Sequence, residues 1–442
     1  MLKRFSTLIA ILITCLPAFA QNTARMDEIA KYYFETKQFM GSALVARGGD
    51  VVFDKSYGYA NLEWQTPFAP DTKFRLGSIT KQFTAVSILL LQERGQLNVN
   101  DPIKKYLPDA PAAWDGVTLH HLLTHTSGIP NFTDGPEYAL LKFSATTPEK
   151  TMKVFWDKPL EFQPGERYKY CNSGYILLGY VVEKVSGKAY ADFLQENIFK
   201  PLGMAETGYD SNTAILPHRA IGYVPTNTGL AIAEYVNMTV PFAAGGLYST
   251  TRDLVKWEEG LFGGKVISAA SLKQMTTPFK GGYGYGVWIH DGGSEVSHGG
   301  GIEGFNTDLR YFPQEKLTVV VLSNLNGPAH EVGEYVAKVA RGKAVVLPID
   351  RKEVKLSATT LQRYVGKYEI QPGFVLAVTL EGDQLMTQAT GQVKLPIFAE
   401  TDTRFFLKIV KADLEFVSGQ DGKVTHAMLY QNGAEMKCVR IE

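Results

Sequence analysis

The 442-residue chain is predicted to be a mixed α/β protein of the α+β kind, with an antiparallel sheet flanked by helices, a helical insert, and a small C-terminal antiparallel β-barrel. Three observations predict this. Strand-like runs stand at both ends of a region whose middle is helical in pattern, so strands far apart in sequence must share one sheet. A stretch with Pro348 and alternating charge then interrupts the pattern. Beyond it the composition turns to short alternating strands separated by turn residues.

The first 20 residues read as a leader. Lys3 and Arg4 form a positive start, Leu8 to Leu16 a short apolar core, and Ala18-Phe19-Ala20 a small-x-small cleavage site. The apolar run is far shorter than the roughly 20 residues needed to span a bilayer, so no integral membrane span is expected. The chain is expected to be exported across the inner membrane, to the periplasm. Thr14 before Cys15, where a smaller residue is usual, argues against a lipid anchor. Cleavage would leave Cys171 and Cys438, which fall in different expected domains, and no disulfide is predicted between them.

The next region, 21–345, carries a predicted amphipathic helix from Met26 to Phe39 and a hairpin of Ser42–Ala46 and Val51–Phe53 around Gly48-Gly49-Asp50. After Gly77 a helix is marked by Ile79, Phe83, Val86 and Leu90 on one stripe, with Gly95 as its stop. A second apolar helix, Ile176 to Val182, ends at Gly187. Strands are predicted at Tyr283–Ile289, Thr307–Phe312 and Leu317–Leu322, and a helix at His330–Arg341. Residues 346–357 read as a linker and 358–442 as the barrel, with strands at Tyr364–Tyr368, Val375–Leu380, Phe405–Val410, Leu414–Val417, Val424–Tyr430 and Met436–Ile441.

Lys+Arg and Asp+Glu both number 45, so no charge excess points to nucleic acid or an anionic membrane. The chemistry lies in three motifs. Ser78-Ile79-Thr80-Lys81 places a hydroxyl and an amine one helical turn apart, where the amine can take up the hydroxyl's proton. Tyr170-Cys171-Asn172 precedes the second apolar helix, and His298-Gly299-Gly300-Gly301 lies between two strand-like runs.

In order and spacing these resemble the three motifs of the penicillin-recognising serine hydrolases, in the branch of class C β-lactamases, D-amino-acid peptidases and related esterases. The segments His120–Pro130 and Ala244–Leu254 resemble that family too, and the C-terminal barrel looks like the lipocalin-like appendage of some members. The resemblance implies that Ser78 is acylated by a small amide or ester (a D-amino-acid peptide, a β-lactam or a carboxylic ester) while Lys81 and Tyr170 handle the proton. It implies that Asn172 holds the substrate amide or the lysine, that the amides of Ser78 and Gly301 form the oxyanion hole, and that His298 and Gly300 line the substrate pocket. No cofactor or metal is implied. A second reading stays open: a weak or inactive protein of this fold that recognises penicillin or peptidoglycan. The oligomeric state is not legible.

Tyr170 could serve as a base only if nearby cations held it as phenolate. His298 and Gly299 stand where the lactamases commonly carry a lysine and a hydroxyl residue, so penicillin turnover is in doubt. His298 is expected to face the pocket beside Tyr170, with activity climbing between about pH 6 and 8 through the ordinary range of histidine and a shifted tyrosine. Other signals are discounted. Gly299-x-Gly301-x-x-Gly304 imitates a dinucleotide fingerprint but runs into a strand. His120, His121 and His125 lack the company of a metal motif. No Gly-x-Ser-x-Gly elbow exists.

Overall fold

A computed structural model describes residues 21–431 and 433–442; the leader expected over 1–20 lies outside them. The described residues divide into two compact units, one over residues 21–226 and 230–343 and one over 227–229 and 344–442.

The first unit is built on a six-stranded antiparallel sheet. Its strands are β1 (Gly41–Arg47), β2 (Asp50–Tyr57), β3 (Trp288–His290), β4 (Glu295–Ile302), β5 (Phe305–Phe312) and β6 (Leu317–Ser323), in the spatial order β3-β4-β5-β6-β1-β2. Strands from the two ends of this unit therefore meet at the β1–β6 pair, where Leu44 faces Val320. Leu309 continues that row on β5 and His298 on β4. Paired residues in an antiparallel ladder point to the same face, so His298 lies in a row with Leu44, Val320 and Leu309, all three fully buried.

The helical insert packs a core around the helix Thr80–Glu93, buried from Thr80 to Leu91. Phe83 lies against Trp257, with ring centroids 4.1 Å apart. Because every side is covered, apolar residues such as Ala85, Ile88, Leu89 and Leu91 stand beside the Ile79, Phe83, Val86 and Leu90 stripe. The second-motif helix, Asn172–Ser186, ends at Gly187 with φ +68°, a conformation that favours glycine. On the opposite face of the sheet, the helix ending at residue 35 meets Ala329–Ala340 through Tyr33 and Tyr335, 6.4 Å between centroids.

The sequence predicted a strand over Tyr283–Ile289, yet the strand covers only Trp288–His290. Gly286 explains the delay. It has φ +70°, and a Cβ there would stand 2.6 Å from the carbonyl oxygen of Lys81, so the chain bends beneath the helix Thr80–Glu93 before joining the sheet.

The second unit is a closed eight-stranded antiparallel barrel: Gly366–Gln371, Phe374–Glu381, Gln384–Ala389, Leu395–Ala399, Arg404–Phe406, Ala412–Ser418, Val424–Gln431 and Ala434–Arg440, paired in chain order and closed first to last. Tyr364, Tyr368, Phe405 and Phe416 fill its centre. Two strands escape the sequence pattern. In Gln384–Ala389 an inward position is Thr387, and Leu395–Ala399 contains Pro396. The stretch 346–357 lies against the barrel: Arg351 pairs with Glu400 and Asp413, and Val354 N–H donates to Ala399.

Candidate active site

Ser78 occupies a tight 3-10 turn, Gly77–Ile79, that runs straight into the helix Thr80–Glu93. Residues three apart eclipse in such a turn, and Lys81 Nζ lies 2.9 Å from Ser78 Oγ. The same Nζ is 2.9 Å from Asn172 Oδ1 and 2.8 Å from the Ala244 carbonyl oxygen. Those two oxygens only accept. A neutral amine gives each of them one N–H and keeps its lone pair for the third direction, toward the serine hydroxyl. Burial drives the same way, lowering the Lys81 pKa to about 7.

Asn172 is itself fixed. Its backbone N–H donates to Asn131 Oδ1 at 2.9 Å and its Nδ2 to Thr133 Oγ1 at 3.2 Å, which turns its carbonyl oxygen to Lys81. Tyr170 is hydrogen-bonded to Ser78, but burial outweighs that bond and raises its pKa well above that of an ordinary tyrosine. Lys81 Nζ stands 4.8 Å from the Tyr170 ring centroid. A lysine that loses its own proton near neutrality is a poor stabiliser of phenolate, so Tyr170 is held as a phenol that can donate.

His125, with φ +56°, supports Tyr170 from behind. Its Nδ1 accepts from Cys171 N–H at 3.1 Å, and its ring centroid is 4.2 Å from that of Tyr170. The neighbouring histidines are occupied elsewhere. His120 Nδ1 pairs with the Tyr285 hydroxyl at 2.8 Å, and His121 Nδ1 accepts from Thr118 N–H at 3.2 Å in a helix cap. Cys171 and Cys438 are both free and buried.

The third motif differs from the expectation. His298-Gly299-Gly300-Gly301 is the body of β4, and His298 lines the larger cavity with Tyr170; the difference lies in its titration. The sheet register places the His298 ring among the core rows, only 2% exposed. Its Nδ1 donates to the Gly299 carbonyl at 2.5 Å and its Nε2 accepts from the Tyr283 hydroxyl at 2.8 Å. Both nitrogens are thereby used in the neutral form, and burial takes the pKa down to about 3. His298 therefore offers the cleft no cation at neutral pH, and its titration does not fall between pH 6 and 8.

The glycines of this motif serve close approach. A Cβ on Gly300 would stand 1.9 Å from the Leu76 carbonyl oxygen, and one on Gly77, where φ is +55°, would stand 2.8 Å from Gly301 N. The serine turn and β4 thus meet backbone to backbone. The dinucleotide-like pattern proves to be a hairpin, with Glu303-Gly304 as the turn between β4 and β5.

Two cavities meet at this seam, of about 320 Å3 and about 540 Å3, and Ser78 and Gly301 line both. Asn172 lies on the smaller side; Tyr170, His298 and Gly300 lie on the larger. The Ala244 carbonyl and Glu303 were assigned no role by sequence reasoning. Only the likeness of Ala244–Leu254 to a family segment marked the first, and nothing local marked the second.

The beta-lactamase family model matches residues 27–341. The chain belongs to the beta-lactamase family of serine hydrolases. Residues 350–439 match a "Domain of unknown function (DUF3471)". Penicillin-binding protein 4* of Bacillus subtilis (strain 168) is 32% identical over 441 residues, covering 92% of this chain and 96% of its own. The structure of an octameric penicillin-binding protein homologue from Pyrococcus abyssi covers 94% of this chain and 99% of its own, at 28% identity and TM-score 0.68. The D-amino acid amidase of Ochrobactrum anthropi SV3 covers 73% of this chain and 99% of its own, at 25% identity and TM-score 0.64. Among the described residues no helix is long and apolar enough to cross a membrane.

Proposed function

We propose that the protein is an exported, periplasmic hydrolase that forms an acyl-enzyme at Ser78 with small amides and esters, D-amino-acid amides and peptides among them. The observation that carries this reading is the setting of Lys81 Nζ between two obligate acceptors and the Ser78 hydroxyl, in a burial that lowers its pKa to about 7. Ser78 Oγ attacks the carbonyl carbon and its proton passes to Lys81. The amides of Ser78 and Gly301 receive the developing oxyanion. The C–N or C–O bond then breaks, and the leaving amine or alcohol takes a proton through the Tyr170 hydroxyl, replenished from Lys81. Water repeats the steps on the ester and frees the serine.

The D-amino acid amidase and penicillin-binding relatives favour D-configured amides, while the neutral His298 and side-chain-free Gly299 disfavour penicillins, whose carboxylate seeks a cation. Export rests on the leader pattern of residues 1–20. Parallel assays of a nitrophenyl ester, a D-alanyl amide and a chromogenic cephalosporin on the full chain test this. Turnover of the ester and amide well above the cephalosporin is expected, with acyl label on Ser78. Absence of both label and turnover would overturn it in favour of a binding protein.

A further inference from the structure

The two cavities flanking Ser78 differ in what they can recognise. A departing group must receive its proton from the side where Tyr170 stands, and Tyr170 lines the larger cavity. The acyl portion, still bonded to Ser78 after that step, belongs to the smaller cavity beside Asn172. Among the residues lining that smaller cavity, one alone carries a charge: Glu303.

Glu303 is placed rigidly. It sits in the two-residue turn between β4 and β5, next to Gly304, whose φ is +77°. A Cβ on Gly304 would lie 2.5 Å from the Gly222 Cα and 2.6 Å from the Ala233 Cβ, so the turn is pressed against a neighbouring segment. Gly304 N–H also donates to Asn326 Oδ1 at 2.9 Å. The Tyr138 hydroxyl donates to the Glu303 carboxylate.

Its charge is left in excess. The nearest cation, Lys142, pairs closely with Glu234 and reaches Glu303 only at 3.8 Å. Two carboxylates thus share one ammonium, and the net negative charge faces the cavity through Glu303, whose side chain is 19% exposed. A carboxylate in a small, partly dry recess with one charge uncompensated selects a cation. A cavity of about 320 Å3 takes one amino-acyl residue or a short amine-tipped chain.

We propose that Glu303 is the specificity-determining residue of the acyl side, and that the preferred substrates carry a positively charged amine on the acyl portion. This rests on the acyl-enzyme reading above. The amine has two sources, the α-amino group of an unblocked D-residue or the side-chain amine of a D-lysine-like residue, and the substrates below separate them.

The test compares kcat/KM for D-alanine p-nitroanilide, N-acetyl-D-alanine p-nitroanilide and Nα-acetyl-D-lysine p-nitroanilide, with nitrophenyl acetate as neutral reference, in the wild type and in Glu303→Gln and Glu303→Asp. In the wild type at least one amine-bearing anilide is expected to exceed N-acetyl-D-alanine p-nitroanilide by about tenfold or more. Whichever does so identifies the amine. Glu303→Gln is expected to bring that ratio to within about twofold of unity, and Glu303→Asp, which keeps the charge, to leave an intermediate preference. An equal rate for charged and blocked substrates in the wild type, or a preference that survives Glu303→Gln, would overturn the role of Glu303. Failure of the wild type to turn over nitrophenyl acetate or to be labelled at Ser78 would instead overturn the hydrolase reading beneath it.

Discussion

Ser78–Lys81 and His298–Gly301 are both four-residue motifs, and they meet backbone to backbone at one cleft, yet they convey different amounts in sequence. In the first, helical geometry fixes the result locally: residues three apart share a face whatever surrounds them, and the hydroxyl and amine do meet at 2.9 Å. In the second, the side chain's direction is set by sheet register with strands drawn from elsewhere in the chain. The row Leu44, Val320, Leu309 carries His298 into the core. Local motifs of helices state chemistry; motifs of strands state position, and the pairing decides what faces the substrate.

The sharpest way to break this comparison is at the serine. Ser78→Ala is expected to abolish covalent labelling and lower kcat by roughly 10⁴- to 10⁶-fold, the scale seen when a serine nucleophile is removed. Retained labelling, read by intact-protein mass spectrometry, would show that the local geometry was misread.

Next in size is a contrast between adjacent glycines of the strand motif. A Cβ at Gly300 meets backbone oxygen at 1.9 Å, whereas one at Gly299 meets its nearest neighbour, the Thr307 carbonyl oxygen, at 3.3 Å. Gly300→Ala should therefore force the strand off the serine turn, with a loss of about 1–3 kcal/mol in thermal or denaturant unfolding and a parallel loss of activity. Gly299→Ala is expected to stay within about 0.5 kcal/mol. Equal effects at the two positions would mean that the seam between β4 and Leu76 is not as close as described.

A smaller effect is expected from the barrel. Every residue lining the two cavities lies at or before His330, and the barrel has a core of its own. A truncated chain ending at Lys343 is expected to retain the Ser78 label and to change kcat/KM for a small ester by less than about threefold. A folded truncated chain that cannot be labelled would contradict this.

These contrasts also account for what could be read from the sequence. The helix that follows Ser78 and the helix that begins at Asn172 were legible because Gly95 and Gly187 end runs too apolar and too long for strands. The main sheet was legible in outline from its strands at both ends of the insert. The Lys81–Ala244 and Cys171–His125 hydrogen bonds were not, since each joins residues far apart in sequence through a backbone group that no side-chain pattern marks. Glu303 was hidden inside a glycine pattern dismissed because it runs into a strand. In the barrel, Thr387 and Pro396 concealed two of eight strands, because an inward polar residue breaks the alternation and a proline argues against pairing.

On the proposed chemistry Lys81, not His298, holds the titrating proton of the cleft. Below its pKa of about 7 the Lys81 amine is protonated and cannot take the proton of Ser78; as pH rises through that value the base becomes available. His298, at about 3, is neutral throughout. The direct measurement is the pH dependence of kcat/KM for a neutral nitrophenyl ester between pH 5 and 9, in the wild type and in His298→Gln, which can still accept the hydrogen bond from Tyr283. A single rise with a midpoint near pH 7 in both proteins is expected. A rise that disappears or moves by about a unit or more in His298→Gln, or a wild-type midpoint above about 9, would contradict the account.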